Sequence, residues 1–309
     1  MGSTIDLRSL VAAELAEPVE PRVAGMAAAI AALYPGAART VLFYGSCLRQ
    51  RELDGLMLDF YLIVSDYRAA YRTRWLALAN RVIPPNVFPF EHHGLIAKYA
   101  VLSEADFRRE VSANARSTSV WARFAQPSRL VWSADAASRE RITDIVAGAA
   151  PILFEHTLPM LPKDRDLRSG DIWRRGFELT YAAELRAERT ARPDSIIDAE
   201  VERYEHFGEA TLAHIAKMTG VGPNGEVALL DSPEGMRRWW RRMGRRGKAL
   251  TLLRLAKASA TFAGGIDYLA WKINRHAGTA IEVKPWQRRW PLIAALILLP
   301  RLLKRGAIR

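Results

Sequence analysis

Val41–Val64, VLFYGSCLRQRELDGLMLDFYLIV, is the stretch on which the fold turns. Two runs of aliphatic and aromatic residues, each short enough for a buried strand, flank a loop that opens on Gly45-Ser46 and leads to a lone acid, Asp59. A carboxylate inside an apolar strand is costly unless it is paired or meets a ligand. A glycine at the bend lets the backbone approach a phosphate that a side chain would exclude.

Outward from this stretch, strands and helices follow in mixed order. Val23–Leu33 is alanine-rich with apolar residues at helical spacing, and Tyr34-Pro35-Gly36 stops it. Thr40–Tyr44 and Leu58–Val64 are predicted strands, and Tyr67–Val82 a predicted helix ended by Pro84-Pro85. Gly94–Leu102 reads as a third strand whose single charge is Lys98; that cation either meets Asp59 in a buried pair or faces a ligand phosphate. Ser103 and Asp106 have capping-box spacing at the start of another helix. Arg129–Trp132 is a short strand candidate, and Ala136–Phe154 again has helical spacing. The polar, proline-bearing connection Pro159–Asp171 marks a domain boundary, beyond which Ile172–Ile215 is mainly helical and Val227–Leu230 has the composition of a short strand.

At 309 residues, half of them hydrophobic, the chain can bury a sizeable core. Its one cysteine, Cys47, excludes an internal disulfide framework and a sulfur-rich zinc site, and no apolar leader opens the sequence, so a cytoplasmic, reducing setting is expected. No histidine lies near Cys47 in sequence to make it a nucleophile; His92 and His93 could reach it only through the fold. The net charge of +12 predicts attraction to polyanions. It is concentrated at the C-terminus, where Asp267 and Glu282 are the only acids from Met236 onward.

There, EGMRRWWRRMGRRGKALTLLRLAK places Arg237, Arg241 and Arg245 on one helical row with Arg238, Arg242 and Arg246 beside it, while Trp239, Trp240 and Met243 mark another face. Such a basic, tryptophan-bearing helix suits a lipid headgroup layer. Trp290–Leu299 is apolar but only about half as long as the roughly 20 residues a bilayer span needs. Bases on both sides, including Arg301, and the tryptophans Trp286 and Trp290 fit an interfacial anchor on an anionic leaflet; a buried core helix is the other reading. Nucleic-acid binding gives no reason for that apolar run, so no nucleic-acid partner is expected.

A glycine-serine bend followed by a strand-borne acid is the layout of polymerase-β-type nucleotidyltransferases, in which the bend opens a helix N-terminus that holds a triphosphate while strand carboxylates hold Mg²⁺. That superfamily usually has a second acid where this chain has Tyr61; Asp66, Asp54 and Asp171 are the candidates to supply it. More specifically, Tyr44-Gly45-Ser46, Gln50, Met57-Leu58-Asp59-Phe60 and Leu95-Ile96-Ala97-Lys98-Tyr99-Ala100-Val101-Leu102-Ser103 resemble, in order and spacing, the mitochondrial-type phosphatidate cytidylyltransferases. Ser169-Gly170-Asp171 is similar to a further motif of that family, and Asp231–Gly235 is a looser echo. The likeness is strong over Val41–Pro127. Asn86–Phe90 lacks the family's glycines, Cys47 replaces a loop glycine, and the loop to Asp59 is shorter.

The resemblance implies an α+β chain: a nucleotidyltransferase domain with a mixed sheet (1–160), a mainly helical, winged-helix-like domain (161–233) and a basic, membrane-contacting amphipathic helical region (234–309). It implies CMP transfer from CTP to phosphatidic acid, giving CDP-diacylglycerol and pyrophosphate, with Mg²⁺, by a peripheral enzyme on the cytoplasmic face of a membrane. Gly45, Ser46 and Gln50 would cradle phosphates, Asp59 with Asp66 would hold the metal, Lys98 would contact a phosphate, and Asp171 would be an accessory site residue or a helix cap. Arg241, Arg245, Trp286, Trp290 and Arg301 would touch the membrane. Transfer to another lipid phosphate, a protein or an RNA end, and a catalytically degenerate membrane-binding module, are the alternatives.

Overall fold

The computed structural model describes residues 6–49, 53–162, 168–184, 196–219, 232–261 and 284–285. The fold is α+β, centred on a five-stranded mixed sheet. Its strands are β1 (Ala38–Tyr44), β2 (Met57–Val64), β3 (Asn86–His92), β4 (Leu95–Ser103) and β5 (Ser128–Ser133), in the order β3-β4-β2-β1-β5. β2 and β4 are parallel, and every other neighbouring pair is antiparallel.

Helices α1 (Leu7–Ala16) and α2 (Pro21–Ala32) precede the sheet, and α3 (Tyr67–Ala70) and α4 (Arg74–Val82) lie between β2 and β3. After β4 come α5 (Glu104–Glu110) and α6 (Trp121–Phe124), and after β5 come α7 (Ala136–Ala147), α8 (Ala149–Thr157), α9 (Ser169–Ala183), α10 (Val201–Thr219) and α11 (Pro233–Thr261). The predicted helix 67–82 is thus two helices, and so is the predicted helix 136–154. The second break has a covalent cause: Pro151 has no N–H for the Ala147 carbonyl and its ring crowds that oxygen, so the helix restarts after Gly148.

Period-two alternation divides the buried residues between two cores. Leu58, Phe60, Leu62 and Val64 of β2 pack with Val41, Phe43, Tyr99 and α2 on one face. Tyr61 and Ile63 join Leu42, Leu102 and the helical layer on the other. That second core runs on through Trp173, Tyr204, Met236 and Trp240, so segments 1–160, 161–233 and 234–309 share it. The edge strand β3 carries Pro89, tolerated there because an edge residue needs no N–H partner on its outer side.

α11 corrects one expectation. Its tryptophans do not face outward to lipid: Trp240 and Met243 are buried, the Trp240 indole N–H donates to the His156 carbonyl at 2.9 Å, and the Trp239 ring lies 4.1 Å from the His156 ring. Apolar area on a basic helix gains more from the helical layer than from solvent, so packing claims this face. The close crossing depends on Gly247, where a Cβ would sit 2.7 Å from the Ala183 carbonyl oxygen. Among the described residues no helix is long and apolar enough to cross a membrane. Trp286, Trp290, Arg301, the run Trp290–Leu299 and the short strand expected at Val227–Leu230 lie outside the described residues.

Candidate active site

Three elements meet at one end of the sheet. The antiparallel register sets Tyr44 of β1 opposite Asp59 of β2, and the parallel register sets Asp59 opposite Lys98 of β4. The Lys98 Nζ lies 2.9 Å from Asp59 Oδ1, and the two side chains keep 33% and 22% of their exposure. Directly after β1, Gly45 turns with φ +96°, a backbone region closed to most L residues. A Cβ at Gly45 would sit 3.5 Å from Asp59 Oδ2, so the missing side chain leaves open space over the carboxylate.

Of the residues singled out in the sequence, then, the fold brings together Gly45, Asp59 and Lys98, with exposed Ser46 beside them. Gln50 lies outside the described residues. Ser46 begins a single 3₁₀ turn, Ser46–Arg49, rather than a helix long enough to present a dipole, so any phosphate contact here comes from the bend itself. Cys47 is buried in that turn, its thiol pushed up by burial and by the nearby Asp59 charge, which keeps it a neutral packing group.

The other acids go elsewhere. Asp66 lies beyond the far end of β2 and caps α3, its Oδ1 accepting from the N–H groups of Arg68 at 2.8 Å and Ala69 at 3.0 Å. β2 runs on for five residues past Asp59, about 17 Å, before Ser65 and Asp66, so Asp66 cannot share a metal with that residue. Asp54 pairs with Arg22 at 2.8 Å. Asp171 sits in the first turn of α9 and accepts from the Arg168 N–H at 3.2 Å, the capping alternative.

Tyr61 occupies the place of the second acid. Two residues from Asp59 it faces the same side of the sheet, about 7 Å further along. Its ring packs on Tyr44 (5.2 Å) and Phe124 (5.3 Å), and burial holds its hydroxyl protonated. Around it gather groups the sequence did not single out: Arg123, Glu184 and Arg254, each electrostatically coupled to Tyr61. Burial works against the charge of Arg123, but Glu184, Tyr61, Tyr44 and Asp59 outweigh it and raise the pKa. Arg254 is shifted down, by burial first. The Glu184 carboxylate accepts from the Thr118 hydroxyl at 3.2 Å and lies 3.9 Å from Arg123. The only sequence signal for this cluster was polarity in apolar company, as in Trp121-Ala122-Arg123-Phe124 and the buried run Ser117-Thr118-Ser119.

Whether the donors suit Mg²⁺ depends on how the ion arrives. Among the described residues no three His, Cys, Asp or Glu side chains gather into a cage. Mg²⁺ commonly needs only one or two carboxylates when phosphates supply further oxygens. Asp59, with Oδ2 facing the space over Gly45, fits an ion carried in on a nucleotide's phosphates rather than a resident one.

α11 presents the basic surface. Arg237, Arg238, Arg241, Arg242, Arg245 and Arg246 are all exposed, while Met236, Trp240, Met243 and Gly247 turn inward. No protein-family model matches the chain, and no curated protein is significantly similar to it.

Proposed function

We propose that the chain is a metal-assisted nucleotidyltransferase that moves CMP from CTP to phosphatidic acid at a membrane surface. The observation that carries this reading is the convergence of the Gly45 bend, Asp59 and Lys98 on one open strand end. The choice of CTP and phosphatidate comes from the resemblance of Tyr44–Ser46, Met57–Phe60 and Leu95–Ser103 to phosphatidate cytidylyltransferases.

The residues divide the work as follows. Gly45 admits a phosphate to van der Waals range of the Asp59 carboxylate, and Ser46 offers an exposed hydroxyl donor at the same bend. Lys98, paired with Asp59 before substrate enters, supplies a cation for the incoming phosphate oxygens. Mg²⁺ at Asp59 would neutralise triphosphate charge. The acceptor needs no protein base, because a phosphate monoester is already ionised. Its oxygen forms a bond to the α-phosphorus as the bond to the β-phosphate oxygen breaks, and pyrophosphate leaves with that electron pair. The protein's contribution is alignment and charge neutralisation.

The exposed arginine rows support the membrane part. Arg237/Arg241/Arg245 and Arg238/Arg242/Arg246 make four like-charge i,i+4 pairs, each destabilising by about 0.2–0.5 kcal/mol in an isolated helix. An anionic surface relieves that repulsion, and salt weakens the attraction.

The test is a lipid-extraction assay with labelled CTP, phosphatidate vesicles and Mg²⁺. Label moves into the organic phase with the wild-type chain, and Asp59→Asn lowers the rate on the order of 100-fold. Label that stays in water with both proteins overturns the reading.

A further inference from the structure

Arg123 on α6 and Arg254 on α11 come from segments far apart in sequence, yet both are fastened to one residue. The Arg123 Nη1 donates to the Ser119 carbonyl, and the Arg254 Nη1 donates to the Ser119 hydroxyl at 3.1 Å. The Arg254 Nε donates to the Pro84 carbonyl at 2.8 Å. Two guanidiniums side by side repel, and taking them partly out of water adds to the cost. The nearest carboxylate is Glu184, 3.9 Å from Arg123 and already accepting from Thr118; Asp59, paired with Lys98, adds a weaker attraction to Arg123. Glu110 lies within electrostatic reach of Arg254, but its oxygens are held by Arg109 at 3.1 Å and by the Arg116 N–H at 3.1 Å. Arg254 itself has only neutral oxygen partners among the described residues.

This excess charge lies beside Tyr61, on the face that Asp59 shares. At the place where two-acid sites put a second carboxylate, the chain puts a neutral ring flanked by two cations. That is the wrong sign for a second metal and the right sign for an anion. Guanidiniums also match the geometry of phosphate oxygens, donating in pairs from a planar fork.

We propose that Arg123 and Arg254, clamped on Ser119 beside Tyr61, seat a phosphate monoester dianion. Given the nucleotidyl-transfer reading, on which this role rests, the seated group is the acceptor phosphate, held about one pleat repeat from the nucleotide's position at Asp59.

Binding measurements on the full chain test this apart from catalysis. Isothermal titration is made with sn-glycerol 3-phosphate, inorganic phosphate and, separately, CTP with Mg²⁺. The wild-type chain binds glycerol 3-phosphate, Arg123→Gln and Arg254→Gln each weaken it at least tenfold, and both variants bind CTP within about twofold of wild type. Asp59→Asn does the reverse, losing CTP and keeping the phosphate monoester. Tighter binding of glycerol 3-phosphate than of inorganic phosphate marks a lipid headgroup as the source; equal binding marks a free phosphate. Thermal melts establish folding, and if Arg254→Gln unfolds, Arg254→Lys, which keeps the charge and loses the fork, takes its place with the same loss expected. Absence of glycerol 3-phosphate binding to wild type at millimolar concentration, or unchanged affinity in the folded arginine variants, overturns the seat. Phosphate binding lost with the arginines in a chain that does not bind CTP leaves the seat standing and removes the nucleotidyl-transfer reading.

Discussion

On the α2 face of the sheet, β2 presents Leu58, Phe60, Leu62 and Val64 to a sealed apolar core; on the opposite face, one residue out of phase, it presents Asp59 and Tyr61 to a layer holding Arg123, Glu184 and Arg254. One strand therefore does two jobs. The apolar face fixes β2 between β1 and β4, and that rigidity gives Asp59 and Lys98 a defined separation on the polar face. The first face is closed by neutral side chains, including the buried Tyr34–Tyr99 hydroxyl pair at 3.1 Å, whereas the second is closed by helices carrying charge.

The contrast can be broken first from the apolar side. Phe60→Ala removes a side chain that is 1% exposed and rests 5.1 Å from the Phe43 ring, and is expected to cost about 3–5 kcal/mol in denaturant unfolding. A loss below about 1 kcal/mol would mean that the strand is not held by that core. Gly247→Leu comes next, because its side chain meets the Ala183 backbone; overpacking of about 1–3 kcal/mol is expected, together with weakened coupling between Arg123 and Glu184, the residue after Ala183. Asp66→Ala should cost about 1 kcal/mol as a lost cap and leave product formation per folded molecule unchanged. Asp59→Asn has the opposite profile: stability within about 1 kcal/mol of wild type, since the pair is partly exposed, with nucleotide binding lost.

The finest test uses pH. Lys257, 8% exposed, donates to the Pro85 carbonyl at 2.7 Å and to the Ile83 carbonyl, yet burial, with help from Arg254, pushes its pKa down from 10.5 to about 7. Between those values the unfolded chain holds a proton that the folded chain lacks. This group's contribution to stability therefore rises as pH increases from about 7 toward 10.5. The difference between wild type and Lys257→Met, followed by thermal melts over that window, should have this slope, with uptake of at most about one proton on unfolding.

Much of the sheet was legible because its strands are apolar runs bounded by turn residues, and four of the five fall where such runs occur. β3 escaped because NVFPFEH is interrupted by a proline and has one aliphatic residue, a composition that an edge strand tolerates. α1 escaped for want of a sharp apolar stripe in LRSLVAAELA. At the site, Asp59, Lys98 and the Gly45 bend could be read because each is an anomaly in its own segment. Asp66 and Asp171 looked the same in sequence but are spent on helix ends, a choice made by backbone N–H groups that composition does not reveal. Arg123, Glu184 and Arg254 could not be assembled from the sequence, since only the fold brings α6, the end of α9 and α11 to Tyr61. The tryptophans of α11 misled for a related reason: a face suited to lipid is equally suited to a neighbouring helix.

α11 carries both the outward arginines and Arg254, and a continuous helix rises 1.5 Å per residue, so Arg241 and Arg254 stand about 20 Å apart along one rod. On the proposed membrane role, an anionic surface gripped at Arg241 would be kept at a set reach from Arg254, with the helix acting as a gauge. Inserting or deleting a turn between them would change that reach by about 5 Å without altering either end.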